Sequence, residues 1–153
     1  MSRTTTSRQG ARGGFTLIEL LVVITILGIL ATVVTFSVVR EIEKAKVQQA
    51  KTQLSVFMLA LQRYASEVGE YPTTEEGLKV LIAKPADERL ARGWKGPYLF
   101  NTEVIPPDPW NNDYIYQTTE TGDPPFEIIS LGKDRAQGGE GNNADISSRR
   151  LGE

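Results

Sequence analysis

The chain has 153 residues, with 17 Lys+Arg against 19 Asp+Glu, a formal net charge of −2, no histidine and no cysteine; that is room for one modest domain plus an anchor. The charge balance argues against nucleic acid, whose phosphate backbone needs clustered Lys and Arg. The missing residue types exclude disulfides, an imidazole base and a zinc site of the usual kind, and no Gly-x-Ser-x-Gly elbow, P-loop or dinucleotide fingerprint is present.

Residues 1–14 are polar and carry Arg3, Arg8 and Arg12 without an acid. Basic residues beside a first apolar segment tend to stay cytoplasmic. From Leu20 to Val39 run twenty residues with no charge, which as a helix span about 30 Å, the hydrocarbon thickness of a bilayer. A cleaved secretory signal is the ordinary reading of such a start. Here the run exceeds a usual signal core, and Val38-Val39-Arg40-Glu41-Ile42 continues a helical pattern where an Ala-x-Ala site would stand. A plain single-pass anchor over residues 15–39 accounts for everything except the Gly13-Gly14-Phe15 junction and Glu19. A charge in such a segment costs up to roughly 3 kcal/mol near the membrane centre and less toward the interface, so Glu19 needs a functional reason.

The octapeptide Gly14-Phe15-Thr16-Leu17-Ile18-Glu19-Leu20-Leu21 resembles the class III signal of type IV pilins and type II secretion pseudopilins. The resemblance implies that prepilin peptidase cuts between Gly14 and Phe15 on the cytoplasmic side and methylates the Phe15 amine. Without the leader arginines, 14 basic residues face 19 acidic ones, near −5. A free α-amine titrates around pH 7.7–8.0, so the new terminus is a cation near neutrality. Phe15 and Glu19 stand four apart and could pair within one helix. The resemblance implies pairing between subunits instead, the carboxylate of an incoming copy meeting the Phe15 amine of its neighbour and setting the axial stagger of a filament.

Beyond Val39 the pattern turns amphipathic. Val47, Ala50, Leu54, Phe57, Leu61, Tyr64 and Val68 recur at spacings of 3 and 4, with Lys, Gln and Arg between them. This is one apolar stripe on a helix over residues 40–68, read as packed on a small sheet; a coiled coil is the alternative, with barely three heptads available. Gly69 is a C-cap and Pro72 lies just beyond, so one helix runs from Phe15 to Val68, about 80 Å long. Pilin relatives commonly carry a proline late in the apolar segment, where this chain has Phe36. The resemblance therefore implies a more continuous helix here, with Gly28 its remaining weak point.

A globular head is expected over 69–147. Thr73 and Glu76 have capping-box spacing and open a short second helix with Leu78, Leu81 and Ile82 as its apolar face, stopped by Pro85. Trp94 and Gly96-Pro97-Tyr98-Leu99 read as a turn leading to an aromatic anchor. Asp108-Pro109-Trp110-Asn111-Asn112 reads as a turn whose asparagines tolerate the left-handed conformation. Both tryptophans are read as core or loop anchors rather than ligand stackers. Two strands come next, Tyr114 to Thr118 and Phe126 to Leu131, joined by Thr121-Gly122-Asp123-Pro124-Pro125.

The last motif is Ser130-Leu131-Gly132-Lys133-Asp134, then Gly138-Gly139-Glu140-Gly141-Asn142-Asn143-Ala144-Asp145-Ile146. Glycines let the loop wrap, and Asp134 and Asp145 can bring two carboxylates together, hard oxygen ligands of the kind Ca²⁺ takes. The spacing is not that of an EF-hand, and by itself it leaves a flexible acidic loop as the better reading. The stretch also resembles the calcium loop of the type II secretion major-pseudopilin family. That resemblance implies bound Ca²⁺ with carboxylates from Asp134 and Asp145, the backbone carbonyl of Leu131, and further oxygens from Asn142 or Asn143. Arg135 where a glycine is usual and Asn143 where an acid is common depart from the pattern and weaken the expected site. Residues 148–153 are expected to be a flexible tail.

The sequence thus implies an α+β, pilin-like subunit that is structural, not an enzyme. By resemblance it polymerises with itself into a periplasmic pseudopilus that helps export folded proteins through the outer membrane of a Gram-negative bacterium. Its head would lie in the periplasm and its single pass in the inner membrane. The implied partners are prepilin peptidase, the inner-membrane assembly platform with its ATPase, minor pseudopilins and the secreted proteins. Two rivals stay open: a type IV pilin for adhesion or motility, which usually has a cysteine pair that this chain lacks, and a membrane-tethered calcium-dependent binding module.

Overall fold

The computed structural model describes residues 14–119 and 121–152; the leader before Gly14 lies outside them. In chain order the elements are α1 (Leu17–Val68), a 3-10 turn (Gly77–Leu81), α2 (Glu88–Gly93), β1 (Ile115–Thr118), β2 (Phe126–Ser130), a 3-10 turn (Gly141–Asn143), β3 (Ile146–Ser147) and a last 3-10 turn (Ser148–Arg150). One long helix and a three-stranded antiparallel sheet, ordered β1-β2-β3, make this the expected α+β class.

The backbone of α1 is helical over all 52 residues, Phe36 included. It ends where Gly69, at φ +102°, donates its N–H to Ala65 O at 2.8 Å, a left-handed cap that costs glycine no Cβ clash. The chain divides into two compact units, one up to Arg40 and one from Glu41 on. In the first, every described side chain is exposed. Among the described residues no helix is long and apolar enough to cross a membrane. The uncharged run from Leu20 to Val39 includes positions 33–37, whose side chains lie outside those described.

In the second unit the stripe read from the sequence is the core. Ala50, Leu54, Phe57, Leu61 and Tyr64 are buried with Leu78, Leu81, Tyr98, Tyr114, Tyr116, Phe126, Ile128 and Ile146. The helix therefore packs on the head, as expected over a coiled coil; each large side chain so buried stabilises by about 1.5–3 kcal/mol. Phe57 meets Tyr114 edge-on at 5.1 Å. In β2 Phe126, Ile128 and Ser130 point inward, the period-two pattern of a half-buried strand. Tyr116 opposes Ile128, and Ser130 opposes Ile146 of β3. Trp94 donates its Nε1–H to Val80 O at 2.7 Å, and Trp110 donates its Nε1–H to Glu43 Oε2 at 3.1 Å. Both are loop anchors.

The structure differs from the sequence expectation in three places. The capping box forms, with Glu76 Oε2 accepting the Thr73 N–H and Thr73 Oγ1 accepting the Glu76 N–H. No α-helix grows from it, because Gly77 at φ +58° breaks right-handed propagation and a 3-10 turn takes its place. Second, α2 forms downstream of Pro85, capped by Asp87, whose side chain accepts the Arg89 N–H at 2.7 Å. Third, the tail is not loose over its described part. Ser147 pairs into β3, Ser148 is buried, and its Oγ accepts the Ile128 N–H at 3.0 Å. Arg149 donates to Thr121 O at 2.8 Å, lying so close to Gly122 that a Cβ there would meet its guanidinium at 2.7 Å.

Candidate functional site

The N-terminal site is built by the start of α1. Thr16 Oγ1 accepts the Glu19 N–H at 3.3 Å and Thr16 O accepts the Leu20 N–H at 3.2 Å, so Thr16 caps the helix. Sequence reasoning missed Thr16, although Thr-x-x-Glu is capping-box spacing. Glu19 lies in the first turn, where the helix dipole favours an anion by about 0.3–1 kcal/mol. A charge carried toward the membrane centre costs up to roughly 3 kcal/mol, which the dipole alone does not offset. Gly14 and Phe15 precede the helix, Phe15 84% exposed. Among the described residues the exposed Glu19 carboxylate makes no hydrogen bond or ion pair; Phe15 N is here a peptide nitrogen joined to Gly14, not the free amine that the expected pairing needs.

The C-terminal site is the loop from Leu131 to Asp145. Asp134 Oδ1 accepts the Ala136 N–H at 3.1 Å, and Asp145 Oδ2 accepts the Gly138 N–H at 2.8 Å. Asp145 Oδ1 is buried without a donor among the described residues. Asn143 is exposed, its N–H donating to Glu140 O at 3.2 Å, and its carbonyl closes on Gly139. At φ +87° a Cβ on Gly139 would lie 2.3 Å from Asn143 O, so only glycine fits. Arg135 takes φ +60°, a conformation uncommon outside glycine. The Asn142 side chain lies outside the described residues. Among the described residues no three acidic, His or Cys side chains cluster. A cation here would draw on two carboxylates and complete its shell with carbonyls. A buried carboxylate oxygen without a donor, on a loop of hard oxygen donors, fits that demand.

Further acids and amides hold this loop. The buried Asp108 carboxylate organises its own turn: Oδ1 accepts the N–H groups of Trp110 (3.0 Å) and Asn112 (2.8 Å), and Oδ2 accepts the Ser130 hydroxyl at 2.6 Å. Ser130 Oγ in turn accepts the Gly132 N–H at 3.2 Å, and Asn112 Nδ2 donates to Gly132 O at 2.6 Å. Asn111 takes φ +66° as expected of a turn asparagine. On α1, Glu43 is buried, with Lys133 Nζ at 3.5 Å besides its Trp110 bond. The Trp110 hydrogen bond, aided by the charges of Lys133 and Lys46 and opposed by burial, holds its carboxyl below the ordinary range. Glu43 stands four before Val47, extending the apolar stripe by one turn, which is the signal that places it inward.

Two family models match. "Type II secretion system (T2SS), protein G" covers residues 37–149, and "Prokaryotic N-terminal methylation motif" covers residues 10–35. The type II secretion system core protein G of Pseudomonas aeruginosa is 41% identical over 138 residues, spanning 90% of this chain and 94% of the relative. That of Vibrio cholerae is 40% identical, spanning 88% and 90%. The crystal structure of the major pseudopilin from the type 2 secretion system of enterohaemorrhagic Escherichia coli matches with a TM-score of 0.56 and 29% identity, over 71% of this chain and 90% of that one.

Proposed function

The chain belongs to the type II secretion system protein G family, and on that premise we propose that it is the major pseudopilin, a structural subunit that polymerises through α1 into a periplasmic pseudopilus. Prepilin peptidase removes residues 1–14 and methylates Phe15. The subunit waits in the inner membrane, head in the periplasm. An assembly platform and its ATPase then extract copies into a fibre, which minor pseudopilins accompany and which helps drive folded proteins outward. The observation that carries this reading is Phe15 just before α1 and Glu19 in its first turn, with an exposed carboxylate that finds no partner among the described residues of its own chain. An ammonium and a carboxylate attract far more strongly in a low-dielectric core than in water, although each must first be desolvated. Pairing the Glu19 of one copy with the Phe15 amine of the next offsets both burials.

The test separates charge from capping. The mature wild-type chain has an N-terminal mass starting at Phe15 with one added methyl. Glu19→Gln keeps the size and polarity of the side chain, and the backbone N–H that Thr16 caps, but loses the charge; it and Glu19→Ala insert in the membrane and give no fibres by electron microscopy. Wild-type fibre yield from Glu19→Gln overturns the pairing.

We also propose that Ca²⁺ orders the C-terminal loop. Asp134 and Asp145 would supply carboxylates, Leu131 its carbonyl, and Asn142 or Asn143 further oxygens. The donorless Asp145 Oδ1 supports this. When bound, the cation contributes a positive charge that ties the two ends of the loop together.

A further inference from the structure

The geometry points to Asn112 as a positioning residue of this loop, the side chain that aims the Leu131–Gly132 rim at a bound cation. The inference rests on the calcium reading above. A ligating carbonyl must be held in direction, and residues behind a metal's ligands do that work. Leu131 comes directly after Ser130, the last residue of β2, so its peptide lies outside the strand ladder and needs another hold. The structure holds this peptide at the Gly132 N–H and the following one at the Gly132 carbonyl, which fixes the chain on both sides of Gly132. Asn112 Nδ2 donates to Gly132 O at 2.6 Å, and the Ser130 hydroxyl, itself fixed by the buried Asp108 carboxylate, accepts the Gly132 N–H at 3.2 Å. Both polar groups of Gly132 are thereby tied to one turn, and Gly132 takes φ +63° between them.

A second observation points the same way. Asn112 Oδ1 is buried and accepts no hydrogen bond among the described residues, and the same holds for Asp145 Oδ1. The two are linked through Gly132: Asn112 holds its carbonyl, and a Cβ on it would lie 3.3 Å from the carbonyl of Ala144, the residue before Asp145. Buried acceptors left without donors are costly. A cation held by Asp145 on the segment that packs against Gly132 would give such acceptors a positive partner. Asn112 thus does more than shape its turn, a task that the Asp108 carboxylate and the Asn112 backbone already perform.

The experiment titrates Ca²⁺ alone into the full chain in detergent by calorimetry, and records thermal unfolding with and without the ion. Asn112→Ala weakens Ca²⁺ binding by about 10–100-fold, the usual effect of removing a residue behind a metal ligand, while the calcium-free midpoint moves much less than the calcium-loaded one. Ser130→Ala, which removes the other hold on Gly132, weakens binding in the same sense and serves if the first variant folds poorly. Unchanged affinity in both variants, with equal falls in the two midpoints, makes Asn112 a structural turn residue and overturns the inference. No binding by the wild-type chain overturns the calcium reading itself, and with it this one.

Discussion

Glu43 shows how one buried acid can do structural work that a charge count hides. Its two oxygens are divided between Trp110 Nε1 and Lys133 Nζ, so it joins α1 to the 108–112 turn and to the start of the acidic loop. Because its carboxyl titrates below the ordinary 4.5 in the folded chain, the unfolded chain takes up the proton first as pH falls. The stabilisation is therefore fully present above pH 4.5 and drains away as pH drops through the lower folded value. Glu43→Gln keeps an acceptor for Trp110 but loses the charge. Its unfolding free energy, from denaturant titrations run from neutral into acidic buffer, falls less steeply on the acid side than that of the wild type. An identical slope shows that the pairing with Trp110 and Lys133 leaves no net mark on stability. Removing the acceptor altogether, in Glu43→Ala, strands the indole N–H at a cost of about 1–3 kcal/mol.

Among elements, the loop closed by Gly139 is the most demanding of its sequence. A Cβ there meets Asn143 O at 2.3 Å and needs φ +87° as well, so Gly139→Ala destabilises the head by about 1–3 kcal/mol, read as a lower denaturant midpoint at unchanged slope. Gly138 and Gly141, also at positive φ, have open space where a Cβ would go, and alanine there brings backbone strain alone. The periodic parts of the fold were legible in the residues. The spacing-three-and-four stripe became the core face of α1, Gly69 became its cap, and the alternation of β2 became its inward row. Periodicity could not show elements too short to have a period. β3 has two residues and α2 six, and both exist through contacts made elsewhere: β3 because β2 offers a free edge, α2 because Asp87 caps it. In the proposed calcium site the acids can be picked out from the sequence, whereas the residues that hold the loop cannot. Asp134 and Asp145 stand out by type, whereas Asp108 and Asn112 look like ordinary turn residues until Ser130 and Gly132, distant in sequence, are brought against them.

At the scale of the whole molecule, a chain without cysteine has to hold its C-terminal third by other means. The covalent route is closed, and the sheet is small: β3 contributes two residues. Hydrogen bonds from Arg149 to the β1–β2 connection and from the Ile128 N–H to Ser148 secure the chain beyond the loop. The Asp108 turn secures the chain before it. Between these fixed ends the segment from Leu131 to Asp145 is rich in glycine, charge and amides, with little apolar surface to bury, so on the calcium proposal its order depends on the ion more than on packing. A cation that binds only the folded loop stabilises by mass action, with an unfolding temperature that tracks its concentration. Thermal unfolding of the full chain in detergent, monitored by circular dichroism, therefore loses several degrees when EDTA removes Ca²⁺, and regains them on adding the ion back. Asp145→Ala unfolds at or below the EDTA midpoint, since it also loses the Gly138 N–H bond, and is insensitive to further chelation, because the donorless Oδ1 that the cation would satisfy is gone. Equal midpoints with and without EDTA in the wild-type chain would instead mean that glycine closure and the two flanking anchors are enough, and that the acidic residues serve the surface of the fibre.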